Sequence, residues 1–502
     1  MKKKNLLILT LGAVMALTSC KKHVNEVDQT LPEDDPTSPV TITFWSCLGH
    51  EKGNNFDKIV DKFNETYAGK YNVQVDKIAG SYDALHDAIK TKVAAGEIPA
   101  MTMGYPDSFS EYITKYIEDS QILRLDNFIK DANFGYTEAE LADFVPGYYN
   151  EGNNYQFEGV WSMPMYKSTE VMYYNYSYFM GVNEVNVNLL GGDEAFMTLY
   201  NAATGDTATE ESLLAVKNYA STHGGKVYEV PQTWTQMIAV SRQMMADRAA
   251  IPALAGSTFF PVGYDSDANL MISQMKQRGI AYTVNDDASK ENSALHFQFN
   301  NAQAKALVGE LAGLLNEKLL ITKGSLGGGT YTNTYFNNGQ SVMSIGSTGG
   351  SSYQISPNFV VKIAPVPYSG STPYYIQQGP SICFFNNDNS YIHKGAWLFY
   401  KMLAETDNNT ALALENSYDP VRKSCYNTQA YKDWIGRAGQ GLKYDIPAQT
   451  SQLTSYYMTS PVFIGSGTAR NEIGNILAYH YLGNKTIDQA FEQAYNICVQ
   501  AA

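Results

Sequence analysis

Between Val40 and Phe44 apolar and polar side chains alternate, Val-Thr-Ile-Thr-Phe, and Trp45 follows. A period of two puts one face of a strand inward, so this stretch predicts a first β-strand. From Asn55 to Tyr67 the period lengthens, and Phe56, Ile59, Val60, Phe63 and Tyr67 fall on one face of a helix. Alternation returns in Tyr71–Ile78. Ser81–Ala95 is again helical and stops at Gly96, a natural C-cap. Ala100–Met103 predicts a short strand and Ser110–Ile122 a helix. Strands alternating with helices point to α/β layers around a parallel sheet. Farther on, Val171–Tyr174 reads as a buried strand and Gln303–Lys318 as a helix. Thr322–Tyr331 reads as a Gly-rich loop, Gly379–Phe385 as the lead into a strand, and Ile392–Ala404 as a helix. Thr486-Ile487-Asp488-Gln489 has the capping-box form and opens a last helix. Asn183–Pro231, with Gly191-Gly192-Asp193 and the polar run Thr204–Glu211, reads as an insertion. No internal repeat is present.

The first residues are of another kind. Lys2-Lys3-Lys4 precede an apolar run, Leu6–Leu17, broken by Thr10 and Gly12 and ending in Leu17-Thr18-Ser19-Cys20. A membrane-spanning helix needs about 20 apolar residues. A basic head, a short apolar middle and small residues before a cut form an export signal. Leu-Thr-Ser-Cys resembles the bacterial lipobox, which implies removal of residues 1–19 and acylation of Cys20. Acyl chains add ~0.8 kcal/mol of membrane affinity per buried CH₂. Residues 21–39 are polar, hold Pro32, Pro36 and Pro39, and show no apolar period. Residues 20–39 are therefore expected to be a lipid-anchored tether. The expected location is the extracytoplasmic face of the cell membrane, held through the lipid alone.

The net charge of −14 argues against a nucleic-acid surface, which needs clustered Lys and Arg. Beyond Cys20, the cysteines Cys47, Cys383, Cys425 and Cys498 form no C-x-x-C pair and no metal-ligand spacing. Most are expected to be buried thiols. Gly346-Ser347-Thr348-Gly349-Gly350 lacks the lysine of a phosphate-binding P-loop, and no G-x-S-x-G elbow occurs. The seven histidines are scattered. No catalytic residue, metal or cofactor is therefore expected, although a carboxylate pair of the glycosidase kind is spatial and leaves no motif. Tyrosine is abundant, with 37 residues. Its apolar ring and hydroxyl suit polyols and sugars, and suit an amphipathic surface equally well.

Four stretches carry a likeness: Ile42-Thr43-Phe44-Trp45, the run PMYKSTEVMYYN from Pro164 to Asn175, PQTW from Pro231 to Trp234, and FNNGQSVMSIGSTGG from Phe336 to Gly350. In this order they resemble the family 1 extracellular solute-binding proteins of ABC importers, over nearly all of Val40–Val499. The resemblance implies a two-lobed α/β fold, the type II periplasmic-binding-protein fold, with a hinge between lobes that close on a ligand. It implies a monomer that delivers its ligand to ABC permease subunits. Lobe 1 is expected at 40–167 and 331–384, and lobe 2 at 168–330 and 385–502. Crossings are expected near Lys167–Glu170, Gly324–Thr330 and Gln378–Phe385.

Within the family the chain is similar to the glycerol-3-phosphate-binding proteins, and that likeness implies a ligand set. Gly80-Ser81-Tyr82 matches the first-lobe G-x-Y and nominates Tyr82. Ser168 matches the crossing-strand serine, Ser347 the serine after the Val342-Met343 strand, and Gly379 the glycine opening the next crossing. Tyr418 precedes Asp419-Pro420, and Arg470 matches the late arginine. The acid after the first-lobe tyrosine is replaced by Pro106, with Asp107 one place on. The second-lobe Trp-rich loop is here Gly263-Tyr264-Asp265-Ser266. Both departures bear on the glycerol or sugar end. An arginine offers a planar fork to phosphate oxygens. Serine hydroxyls and a glycine N–H would add neutral donors, the tyrosines would stack and donate, and Asp107 would accept from ligand hydroxyls. The ligand so implied is a small polyol phosphate, glycerol 3-phosphate or its diesters. A neutral oligosaccharide is the alternative within the family, and a secreted carbohydrate-active enzyme the alternative outside it.

Overall fold

A computed structural model describes residues 27–47, 53–78, 80–113, 120–180 and 227–502, with isolated positions between 181 and 226. The signal segment, Cys20 and most of the 183–231 stretch lie outside the described residues. Among the described residues twelve strands follow in chain order: β1 (Val40–Ser46), β2 (Tyr71–Lys77), β3 (Met101–Gly104), β4 (Met163–Pro164), β5 (Glu170–Asn175), β6 (Val262–Tyr264), β7 (Leu320–Thr322), β8 (Met343–Ser347), β9 (Val361–Pro365), β10 (Tyr375–Ile376), β11 (Ser381–Phe384) and β12 (Tyr457–Met458). Two five-stranded sheets result, ordered β2-β1-β3-β11-β4 and β7-β6-β8-β5-β9. Each is mixed. β1 runs parallel to β2 and β3 while β11 runs against β3, and β6 runs parallel to β7 and β8 while β5 runs against β8 and β9.

Each sheet has its own apolar core. Ile42, Phe44, Met101, Phe384, Trp397 and Phe399 belong to the first, and Val171, Met172, Met343, Ile345, Leu311 and Ile473 to the second. Two cores on two sheets make two lobes. The alternation of β1 and the stripe of Phe56, Ile59, Val60 and Phe63 face the first core as the periodicity predicts, with Asn54 capping the helix Asn55–Thr66. Gly395 explains the close seat of the helix Ser390–Leu403 on β1: a Cβ there would come within 2.5 Å of Ile42 and 2.6 Å of Tyr71. The capping box at Thr486 and Gln489 is formed, opening the helix Ile487–Ala501. The turn Pro106–Phe109 leads into the short turn Ser110–Tyr112, and 114–119, the middle of the expected helix Ser110–Ile122, lie outside the described residues.

Three expectations about organisation are corrected. First, 331–384 is not a unit of lobe 1. β8 and β9 flank β5 in the second sheet, with Ser347 opposite Glu170 and Pro365 opposite Val171. Second, 385–502 is divided. Trp397, Leu412, Ala413 and Val421 join the first core, and the second resumes at Leu442. The loop Gly324–Thr330 stays within the second lobe, between β7 and β8, which flank β6 in one sheet, so the third crossing lies between Val421 and Leu442 instead. Third, the later part of the expected tether is docked. Val27 and Leu31 are buried in the first core. Asp28 pairs with Arg124, Asp34 accepts from Tyr391 at 2.9 Å, and Asp35 pairs with Lys70 at 2.6 Å and Lys394 at 3.2 Å. Two apolar residues four apart are too few to show as a period, yet one helical turn or strap can seat them.

Cys383, Cys425 and Cys498 are buried free thiols and Cys47 is partly covered, as the sequence predicts. Among the described residues no helix is long and apolar enough to cross a membrane.

Candidate functional site

Chain segments cross between the lobes side by side. Lys167 and Asp419 exchange backbone hydrogen bonds, Lys167 N–H to Asp419 O at 2.9 Å and Asp419 N–H to Lys167 O at 2.5 Å. Ser168 and Gln378 do the same at 2.9 and 2.8 Å. Thr169 Oγ1 donates to Ile376 O at 2.9 Å. The polar run KSTE thus spends its backbone on the crossing at Gln378 and on Asp419 at the edge of the first lobe, as buried amides must. Beneath it, Lys167 is wholly buried. Its ammonium touches Glu151, Gly379 O at 3.2 Å and Ser381 Oγ at 2.9 Å. Burial raises the Glu151 carboxyl, and Lys167 pulls it part of the way back. Asp419 is a second buried hinge acid. It accepts from Thr450 Oγ1 at 2.6 Å and Tyr457 OH at 3.0 Å, and burial pushes its pKa up to about 6.

Between the lobes lies a cleft with about 600 Å³ of empty space, open solvent included. Tyr105 and Asp107 line it from the first lobe, Tyr282, Thr283 and Arg470 from the second, and Gln377 and Gln378 from the crossing. Arg470 sits in the first turns of the helix Ser466–Tyr481. Its Nη2 donates to Asn269 Oδ1, and its Nε faces Asp107 Oδ2 across the cleft at 3.9 Å. Thr283 Oγ1 and Gln378 Oε1 are buried polar atoms without a partner among the described residues. Buried polar atoms are normally satisfied, so these two are open valences at the cleft wall.

Beside this cleft stands a group of tyrosines. The rings of Tyr82 and Tyr105 are 4.8 Å apart, and those of Tyr166 and Tyr418 4.4 Å apart. Burial raises the hydroxyls of Tyr82, Tyr105 and Tyr418 above their ordinary range, so they remain neutral donors at neutral pH. Tyr418 also lies over Gly349, where a Cβ would fall 2.4 Å from its hydroxyl oxygen.

The seven nominated residues therefore separate. Asp107 and Arg470 face each other in the cleft, and Tyr82 and Tyr418 stand beside it, joined to it through Tyr105. Ser347 ends β8 next to Gly349. Its hydroxyl accepts from Gly349 N–H at 3.2 Å, and it is not among the lining residues. Ser168 is buried inside the crossing. Gly379 has φ +92°, and a Cβ would come within 2.7 Å of Tyr166 O and 2.9 Å of Lys167 Cα. This glycine lets two crossings approach, and its carbonyl is held by Lys167. Glu151, Tyr282, Thr283, Gln377 and Gln378 were not found from the sequence. A signal existed for the glutamines alone, as a polar pair directly before a crossing glycine. Among the described residues no group of three or more metal-ligating side chains occurs.

The model for the bacterial extracellular solute-binding proteins matches residues 58–439. The sn-glycerol-3-phosphate-binding periplasmic protein UgpB of Yersinia pestis is 26% identical over 190 residues, 36% of this chain and 41% of that protein. The chain thus aligns with about two fifths of that relative's length. Among solved structures, UgpB from Mycobacterium tuberculosis in complex with glycerophosphocholine superposes with TM-score 0.64 at 13% identity, covering 92% of this chain and 98% of the other. The cyclic alpha-maltosyl-1,6-maltose binding protein from Arthrobacter globiformis gives 0.61 at 15% identity, covering 92% and 99%. These likenesses show the fold, that of the type II periplasmic binding proteins.

Proposed function

The chain belongs to the bacterial extracellular solute-binding proteins, and from that premise we propose that it captures a small polyol phosphate, glycerol 3-phosphate or one of its diesters, for an ABC importer. The observation that carries this reading is Arg470. A guanidinium in an inter-lobe cleft has five N–H donors, and one neutral acceptor, Asn269 Oδ1, engages it directly. Its remaining donors are available to phosphate oxygens as charge-assisted bonds. Asp107, the open Thr283 hydroxyl and the Gln378 carbonyl suit glycerol hydroxyls. The tyrosines beside the cleft suit C–H faces or, in a diester, a cationic head group. The glycerol-3-phosphate-binding relatives, and the neighbour holding glycerophosphocholine, support the same chemistry. Lobe closure would bring Arg470 and Asp107 onto one ligand, and reopening would release it to permease subunits. The reading includes a monomer anchored through lipidated Cys20 on the extracytoplasmic face of the cell membrane, with no nucleic-acid partner. It also includes no turnover, since a receptor hands on its ligand unchanged.

Calorimetry tests this. A charge-assisted hydrogen bond contributes ~1.5–3 kcal/mol, so Arg470→Ala should weaken glycerol 3-phosphate binding roughly ten- to more than a hundredfold. Arg470→Lys should recover part of it, because an ammonium lacks the planar fork. Equal affinity of the alanine variant would remove the anion reading. A neutral oligosaccharide is the second reading, favoured by one observation: Asp107 already lies 3.9 Å from the guanidinium and offsets its charge within the cleft. Native mass spectrometry of protein purified without ligand exchange separates the two by the mass of what is retained. Steady conversion of any of these compounds, lost on replacing Asp107, would instead favour a carbohydrate-active enzyme.

A further inference from the structure

Glu170 opens β5 in the wall of the hinge and is 3% exposed. Both carboxylate oxygens are held by neutral donors. Oε1 accepts from Asn269 Nδ2 and Oε2 from Tyr264 OH, each at 2.6 Å. Because its nitrogen is engaged by Glu170, Asn269 turns its oxygen to Arg470 Nη2. One amide therefore joins a buried acid to the arginine of the cleft. The other neighbours of this acid are Ser347, opposite it on β8, and Asp265 just beyond β6. Asp107 stands on the far side of the arginine.

We propose that Glu170 and a bound anion share the charge of Arg470, so that filling the cleft with an anion draws a proton from solvent onto Glu170. This rests on the reading that Arg470 holds the anion. With Asp107 already beside it, the guanidinium then serves the anion and Glu170 as well, and the buried carboxylate yields because it is the costlier to keep charged. Burial has already lifted the Glu170 carboxyl to about 7. Tyr264, Asn269 and Arg470 hold it back, while Asp265 adds to the rise. Withdrawing part of the help from Arg470 moves it upward across neutral pH. The proton is received at the oxygen facing Tyr264, whose hydroxyl oxygen can accept. Asn269 thereby keeps its orientation, and Arg470 stays aimed at the cleft. The consequence is specific to charge: anion affinity rises as pH falls through neutrality, and affinity for a neutral ligand does not.

The probe is glycerophosphocholine, a diester that does not titrate near neutrality. Calorimetry at pH 7 in buffers of unequal ionisation enthalpy should show uptake of roughly half a proton, and affinity should rise about fivefold from pH 8 to pH 6, for a shift of one pKa unit. Glu170→Gln keeps an acceptor for Asn269 and a donor for Tyr264 and should abolish both effects while still binding. Binding without proton uptake, or with equal uptake in Glu170→Gln, overturns the inference and leaves the ligand reading standing. A ligand-free arm reads the coupling alone. The carboxyl band of Glu170, isolated by infrared difference from Glu170→Gln, should titrate at higher pH in Arg470→Gln. An unmoved titration overturns the coupling. A moved titration with no binding of the diester retains the coupling, and refutes both the anion reading and the proton uptake built on it.

Discussion

Lys167→Met tests the hinge. In the native protein the ammonium is sealed off from solvent and its partners are Glu151, Gly379 O and Ser381 Oγ. Methionine fills a similar volume and offers no donor. Glu151 would then remain as a buried carboxylate beside the cleft with its cation removed. Breaking such a pair from one side costs about 3–5 kcal/mol, because the remaining charge is uncompensated. Urea unfolding followed by tryptophan fluorescence reads the loss, since Trp161 and Trp397 are wholly buried in the first core. The double variant Lys167→Met/Glu151→Gln should recover much of it, because an amide costs far less to bury than a charge. Acidity should help as well. The Glu151 pKa is already raised in the folded protein, and loss of Lys167 raises it further. The folded state then binds a proton more readily than the unfolded chain, so stability missing at pH 8 returns as pH falls through the folded-state value toward the ordinary carboxylate range. A single variant within about 1 kcal/mol of wild type at pH 8, or a deficit that ignores pH, would refute the claim that this pair is charged and closed to solvent.

Gly379→Ala should destabilise by about 1–2 kcal/mol from its left-handed backbone alone, and by more through the contact with Tyr166 O, read by the same urea titration. Cys20→Ala should leave the protein unprocessed or release it from membranes; a variant that still partitions with membranes after signal removal refutes the lipid anchor. Small-angle scattering should show the radius of gyration fall when ligand is added, through hinge closure, and an unchanged radius at saturation speaks against it.

What the sequence disclosed follows the range of the interactions involved. β1, β2 and the helix Asn55–Thr66 are set by neighbours within a few residues, and their periods of two and near four were plain. The lobe to which β8 belongs was not, because it is decided by pairing of Glu170 with Ser347, across a distance in sequence that no period records. The same holds at the site. Arg470 was nominated by likeness and Asp107 at a departure from it, and the two face each other in the cleft. Gly379 was nominated as a backbone donor, but its place is governed by φ +92° and by the crossing pressed against it, which a lone Gly-Pro does not reveal. Glu170 stood in the quoted crossing segment as one polar residue among four. Only the fold shows that its carboxylate is enclosed and tied to the cleft arginine.

The docked strap of residues 27–35 has a mechanical meaning. Every anchor point named for it, Arg124, Lys70, Lys394, Tyr391 and the pockets of Val27 and Leu31, belongs to the first lobe. A pull arriving from the N-terminal side is therefore delivered to that lobe as a whole and ends there. The crossings at Lys167 and Gln378, and the stretch between Val421 and Leu442, bear none of the load. In the proposed hinge motion the first lobe would then be the fixed frame and the second the leaf that swings, so opening and closing would answer to what occupies the cleft and not to tension in the leading segment.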